Sequence, residues 1–238
     1  EALTVGERQQ LADLLRRGQS IRRQDVKRLM EEAFSASDAT GNWSMRDAYD
    51  ALEAAQVILL KSPGNWTGIA LAGADAFASL RRFERALPTQ TYRSEHQVEM
   101  QQFSTPISLA WLAAQAARIR PDDQVLEPSA GTGMLAVHGF GVGAALALNE
   151  RDPYRAALLG KLLGEPVTTH DAEFINDLLP TGNSPSVVLM NPPFSRSEGR
   201  GKDRFAGARH LRSALLRLAP GGRCVAIMPP SFAADGTA

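Results

Sequence analysis

Leu126-Glu127-Pro128-Ser129-Ala130-Gly131-Thr132-Gly133-Met134 reads as the end of a strand, a glycine-rich turn and the start of a helix. Gly131 and Gly133 let the backbone come close to a ligand, and the N–H groups at the helix start are expected to point at it. The run lacks the full Gly-x-Gly-x-x-Gly of a dinucleotide loop, and it has no Lys-Ser/Thr of a phosphate loop. Glu127 and Pro128 are out of place in a pyrophosphate cradle, because a carboxylate there repels phosphate. They suit a ligand with a cationic amino-acid end.

Around that loop, from about Gln102 onward, helices alternate with short apolar strands. The pattern predicts a helix over 107–118, strand one over 124–127 and strand two over 143–148. A helix over 153–163, strand three over 167–170, strand four over 187–190, a helix over 206–218 and strand five over 224–228 come after them. Such alternation implies a parallel, doubly wound α/β sheet with ligand crevices at the carboxyl ends of its strands. The chain before it reads as helices, giving a helical region over 1–90 and a sheet domain over 91–238. Thr4 with Glu7 and Ser44 with Asp47 resemble capping boxes, and a third helix is expected over 69–86, ending before Pro88. These helices carry no visible chemistry and read as scaffold.

Strand four runs into Asn191-Pro192-Pro193-Phe194. Two prolines hold the turn stiff and offer no N–H to compete for hydrogen bonds. The turn therefore presents an amide oxygen, the Pro192 carbonyl and a flat ring at one point, which suits a planar amine. Asn191 and Pro192 accept its hydrogens and Phe194 stacks on its ring. Glu150, at the end of strand two and 23 positions after Glu127, is placed to accept from both hydroxyls of a ribose. Asp171, after strand three, is placed to accept from an adenine amino group, with Phe174 or Ile175 on the purine face.

Together these residues resemble the class I S-adenosylmethionine-dependent methyltransferases, over roughly 102–228. Asn-Pro-Pro-Phe after strand four is similar to the amino-methyltransferases, chiefly those acting on adenine N6 in DNA. Gln102-Phe103-Ser104-Thr105-Pro106 is similar to the Phe-x-Thr-Pro element that, in that family, closes over the methionine end of the cofactor. The motif order matches the gamma arrangement. Large bacterial and phage proteins joining such a methylase to a helicase are a closer match that the resemblance suggests. It implies a Rossmann-like sheet and S-adenosyl-L-methionine held by Thr105, Glu127, Pro128, Ala130, Gly131, Gly133, Glu150, Asp171, Phe174 and Asn191. The catalytic residues it implies are Asn191, Pro192 and Phe194, and the substrate is a flipped adenine of DNA. Family sheets usually have seven strands; this chain stops soon after strand five and begins at Glu1. A fragment of a longer polypeptide, lacking two strands and a target-recognition domain, is the expectation.

Net charge is zero, yet residues 101–195 hold 5 basic against 9 acidic side chains, whereas 196–238 hold 8 against 3. The excess starts beside the candidate site. It makes Arg196, Arg200, Lys202, Arg204, Arg209 and Arg212 candidates for phosphate contacts. Cys224 is the lone cysteine and His96, His138, His170 and His210 lack ligand spacing, so no metal is expected. No signal peptide or membrane span is visible, which makes the cytoplasm the expected location. Two rivals remain open. One is methylation of RNA guanine or a protein glutamine amide; the other is a non-catalytic cofactor-binding module of a larger nucleic-acid-processing protein. A dinucleotide oxidoreductase ranks below both, because it leaves Asn191–Phe194 unexplained.

Overall fold

The computed structural model describes residues 5–61, 75–88, 104–180, 182, 184–193, 196–197, 201–203, 205–229 and 232. Among the described residues four helices come first: α1 (Val5–Arg16), α2 (Arg23–Phe34), α3 (Met45–Lys61) and α4 (Ala76–Arg85). The expected cap of α3 is present, with the Ser44 N–H and hydroxyl both donating to Asp47 Oδ2 at 2.8 and 2.7 Å. Thr4 lies outside the described residues, as does 69–74 of the third expected helix. Helix α2 is an addition to the sequence reading. Its lower apolar content is concentrated in Val26 and Met30, which are buried against the other helices.

Helix α3 is buried on nearly every side, as expected for a helix with neighbours all round. It packs on α1 and α2 outside, and inside on α6 (Ala136–Gly141) and α7 (Pro153–Leu163), the helices that come after the first two sheet strands. The apolar core is continuous from Leu11 and Leu59 through Leu135 and Leu159 to Val125 and Val187 of the sheet.

The sheet holds β1 (Gln124–Glu127), β2 (Ala145–Asn149), β3 (Val167–Thr168), β4 (Val187–Met190) and β7 (Arg223–Ala226). All pairings are parallel, in the order β3-β2-β1-β4-β7. Side chains alternate cleanly between the two faces. Val125, Leu148, Val187 and Leu189 join the core under α3, α5 (Ile107–Ala117), α6 and α7. Leu126, Val188 and Met190 join Ile175 of α8 (Ile175–Leu178) and Ala214 of α9 (Ala206–Arg217) on the other. The chain winds one way from β1 to β3 and the other way from β4 to β7. The switch point therefore lies at the carboxyl ends of β1 and β4. Between β4 and α9, a two-residue pair of strands, β5 (Arg196–Ser197) and β6 (Gly201–Lys202), forms an antiparallel ribbon.

Strand boundaries differ from the sequence reading for local reasons. Strand two begins at Ala145, because Gly143 has φ +78° and its N–H closes a turn on the Phe140 carbonyl. Strand three stops at Thr168, because the His170 N–H goes to the Asn149 side chain instead of the ladder. The helix over 107–118 ends at Ala117, with Arg118 left-handed at φ 48° as its cap.

Candidate active site

Asn149, fully buried at the end of β2, fastens three strand ends together. Its Nδ2 donates to the Pro128 and His170 carbonyls at 2.8 and 2.9 Å, and its Oδ1 accepts from Thr168 Oγ1 and the His170 N–H, both at 2.8 Å. The sequence reading passed over it; its signal was an asparagine at the end of an apolar strand, where an unpaired amide is costly to bury.

The glycine loop hangs from that frame. The Ala130 N–H donates to the Asn149 carbonyl, the Gly131 N–H to Glu150 Oε2 at 2.8 Å and the Gly133 N–H to the Ala130 carbonyl. The expectation that these N–H groups face a ligand is corrected at all three positions, because each is already bonded within the protein. Helix α6 also starts later than expected, at Ala136. Gly131 and Gly133 have φ +56° and +97°, and a Cβ on Gly133 would stand 2.6 Å from Leu159 Cδ1. Gly133 thus closes the loop onto α7, while the Pro128 carbonyl serves Asn149.

A pocket opens beneath this loop at the sheet's switch point, and Thr105, Glu127, Ala130, Gly131 and Asn191 all line it. Two of its oxygens are buried with no hydrogen-bond partner among the described residues: Glu127 Oε2 and Asn191 Oδ1. Glu127 is 1% exposed, and burial, then the nearby Glu150 carboxylate, push its pKa well above the usual carboxylate range. Asn191 Nδ2 donates to Thr105 Oγ1 at 3.0 Å, which joins the stretch before α5 to the turn after β4. The helix just after Thr105 is anchored in turn: Ser108, in the first turn of α5, donates through N–H and hydroxyl to Glu84 Oε1 of α4.

The pocket is also lined by residues outside the predicted site, three of which bond one another. Glu53 of α3, Thr132 of the loop and Arg155 of α7 meet in the pocket wall. Burial works against the Arg155 cation, but the Asp50 and Glu53 carboxylates outweigh it and raise its pKa. Asp50 is pushed up to about 7, chiefly by burial, with Arg155 opposing. The sequence signal was two carboxylates three apart, Asp50 and Glu53, in an otherwise alanine- and leucine-rich helix.

Glu150 and Asp171 sit at the ends of β2 and β3, outside the pocket wall. Each Glu150 oxygen takes one backbone N–H, from Gly131 and Asp152, and keeps a second lone pair. Asp171 caps the 3₁₀ turn Ala172–Phe174 and lies 3.6 Å from Arg151. Phe174 is 47% exposed, whereas Ile175 is fully buried in the opposite core, so only Phe174 of that pair can meet a ligand.

Pro192 is buried behind Asn191, and Phe194 lies outside the described residues. Among the basic candidates, Arg196 and Lys202 are register partners in the β5–β6 ribbon. Arg200 and Arg204 lie outside the described residues. Arg209 bonds Glu173 Oε1 at 2.6 Å and is also paired with Asp203, so its charge is met within the protein. Arg212 is exposed on α9. Among the described residues no group of three or more His, Cys, Asp or Glu could hold a metal ion, and no helix is long and apolar enough to cross a membrane.

No family model matches the chain, and no curated protein matches it. Solved structures resemble it remotely. TrmN from Thermus thermophilus is 21% identical, over 66% of this chain and 59% of that one, with a TM-score of 0.45. The methyltransferase subunit of a type I restriction-modification system from Streptococcus thermophilus is 15% identical, over 92% of this chain and 54% of that one, with a TM-score of 0.47. An rRNA methylase from Streptococcus thermophilus is 14% identical, over 56% of this chain and 74% of that one, with a TM-score of 0.39. The chain thus spans under three-fifths of the length of the first two. At such identities none of the three bears on the substrate.

Proposed function

We propose that this protein is an S-adenosylmethionine-dependent methyltransferase acting on the exocyclic N6 amine of adenine in DNA. One observation carries the proposal: two buried oxygens with no partner among the described residues, Glu127 Oε2 and Asn191 Oδ1, line a single pocket at the switch point of a parallel sheet. Buried polar atoms are nearly always satisfied, so two orphans in one wall mark places where a ligand supplies the missing donors.

The residues fit the cofactor. Glu127 offers an acceptor to the cationic amino end, and Thr105, Ala130 and Gly131 line the same wall. Glu150 keeps lone pairs for the ribose hydroxyls, Asp171 for the adenine amino group, and Phe174 an exposed ring for the purine face. When bound, S-adenosylmethionine supplies a methyl group on a sulfonium, whose sulfur leaves with the bonding electron pair.

The chain's own part is to make a poor nucleophile adequate. The lone pair of an adenine amine is delocalised into its ring. Asn191 Oδ1 and the Pro192 carbonyl would accept the two amine hydrogens, draw the nitrogen toward tetrahedral geometry and stabilise the positive charge it gains. That is preorganised electrostatics, aimed by the Thr105 bond before the substrate arrives. The amine nitrogen forms the new N–C bond, and its extra proton leaves to solvent. A base in a duplex must first be flipped out, and stacking on Phe194 would offset part of that cost, about 1–3 kcal/mol.

The test is methyl transfer from labelled S-adenosylmethionine to unmethylated DNA, with RNA and bulk protein as parallel acceptors and the products identified by mass. N6-methyladenine is the expected product. Label only in RNA guanine or protein glutamine would keep the enzyme class and overturn the substrate.

A further inference from the structure

Helix α3 reaches into the pocket with a carboxylate. Glu53 is 4% exposed, and its Oε2 accepts from two donors at once: Thr132 Oγ1 of the glycine loop at 2.8 Å and Arg155 Nη2 of α7 at 3.1 Å. Arg155, 5% exposed, also lies 3.3 Å from Asp50, one turn earlier on α3. Its guanidinium atoms stand 3.8 Å from where a Cβ on Gly131 would be.

Packing α3 onto α6 and α7 does not require this arrangement, since Leu52, Ala55 and Leu59 of α3 already join the apolar core. A buried charge is tolerated only where its partners are well placed, so Glu53 implies a demand for this geometry. The demand is local to the loop. Thr132 sits between Gly131 and Gly133, both at positive φ, where the backbone has most freedom. The Glu53–Thr132 bond fixes that residue from outside, and the Glu53–Arg155 pair sets the guanidinium against Gly131.

We propose that Glu53 is a positioning residue: through Thr132 and Arg155 it sets the shape of the glycine loop for the cofactor. The N-terminal helices are then part of the binding site as well as its cover. The proposal rests on the methyl-donor pocket described above, and its test separates the two.

The experiment is amide hydrogen exchange on the full chain, read at residues 129–135, together with calorimetric binding of S-adenosylhomocysteine. Wild type is compared with Glu53→Met, which keeps the length of the side chain and removes both acceptor oxygens, with Thr132→Val and with their combination. Exchange in α1 and α2 serves as the fold control. Each single variant should speed loop exchange about tenfold and weaken S-adenosylhomocysteine about tenfold, roughly the effect of one net hydrogen bond. The combination should do little more than Glu53→Met alone, because that variant already removes the one bond that Thr132→Val removes. Unchanged loop exchange and affinity in both single variants would overturn the proposal, as would fully additive effects. Faster loop exchange in variants, with no S-adenosylhomocysteine binding by wild type, would support the hold of Glu53 on the loop and overturn the methyl-donor pocket.

Discussion

Asn191 donates its Nδ2 hydrogen to Thr105 Oγ1 at 3.0 Å, and that bond decides which end of the amide faces the pocket. With the nitrogen engaged, Oδ1 is left buried, with no partner among the described residues, and faces an incoming amine. Thr105→Val removes the acceptor while keeping the shape, so the amide loses its fixed orientation. Single-turnover methyl transfer should fall about tenfold, the worth of one net hydrogen bond of ~1.4 kcal/mol, and Thr105→Ser should restore it. A Val variant as fast as wild type would show that the amide needs no such guide.

Glu127 makes a prediction about pH. Its pKa is raised in the folded protein, so the folded state holds this proton more tightly than the unfolded chain does. Stability must therefore fall as pH rises above the ordinary value of 4.5, and go on falling until the folded pKa is passed. Glu127→Gln abolishes that loss. Its melting temperature without ligand should match wild type near pH 4.5 and exceed it increasingly toward neutrality. Thermal melts across this range check it, and a difference independent of pH would contradict it. Because a cationic ligand end favours the ionised carboxylate, S-adenosylmethionine binding should also release a proton from wild type and none from the Gln variant.

Removing the clasp at Asn149 should be costly for the fold. Asn149→Ala strands the buried Pro128 carbonyl and leaves the half-buried carbonyl and N–H of His170 without their partner. Unsatisfied buried groups cost about 1–3 kcal/mol each before relaxation, so a loss of about 3 kcal/mol is expected in urea unfolding, with the slope unchanged. A loss under ~1 kcal/mol would mean that the strand ends hold without it.

Arg209 and Arg212 stand three positions apart on α9 and should behave differently. Arg209 is paired with Glu173 and Asp203, and such half-exposed pairs contribute about 1 kcal/mol or less. Arg209→Ala should lower stability slightly and leave the salt dependence of DNA binding unchanged. Arg212 is exposed, and Arg212→Ala should weaken DNA binding and reduce its salt slope by about 1. Binding titrations at several salt concentrations distinguish them; equal slopes for Arg212→Ala and wild type would remove Arg212 from the interface.

The parallel sheet was legible in the sequence because its strands are short apolar runs separated by helix-period stretches, and Val187–Met190 needs no partner to be recognised. Asn191 and Glu127 were legible because local order places them at the ends of strands. Glu53, Thr132 and Arg155 were not, since their meeting depends on how α3 docks across 79 and 102 positions of chain. Sequence spacing carries no record of that distance. The loop N–H groups were misread for a related reason: the partners of Ala130 and Gly131, Asn149 and Glu150, come from the end of the next strand, and Gly133 turns back on the Ala130 carbonyl. Arg209 was read from its charge alone, and the carboxylates that meet it arrive from two separate loops.

If Asn191 Oδ1 receives the amine in a pocket that also holds S-adenosylmethionine, the decisive measurement is cofactor affinity and single-turnover methyl transfer side by side in wild type and Asn191→Ala. The variant should keep a dissociation constant within about threefold of wild type and transfer more slowly by about 10²–10³, the effect of removing one preorganised electrostatic contact. A variant that transfers at the wild-type rate, or one that loses affinity and rate in equal measure while still folded, would contradict that role.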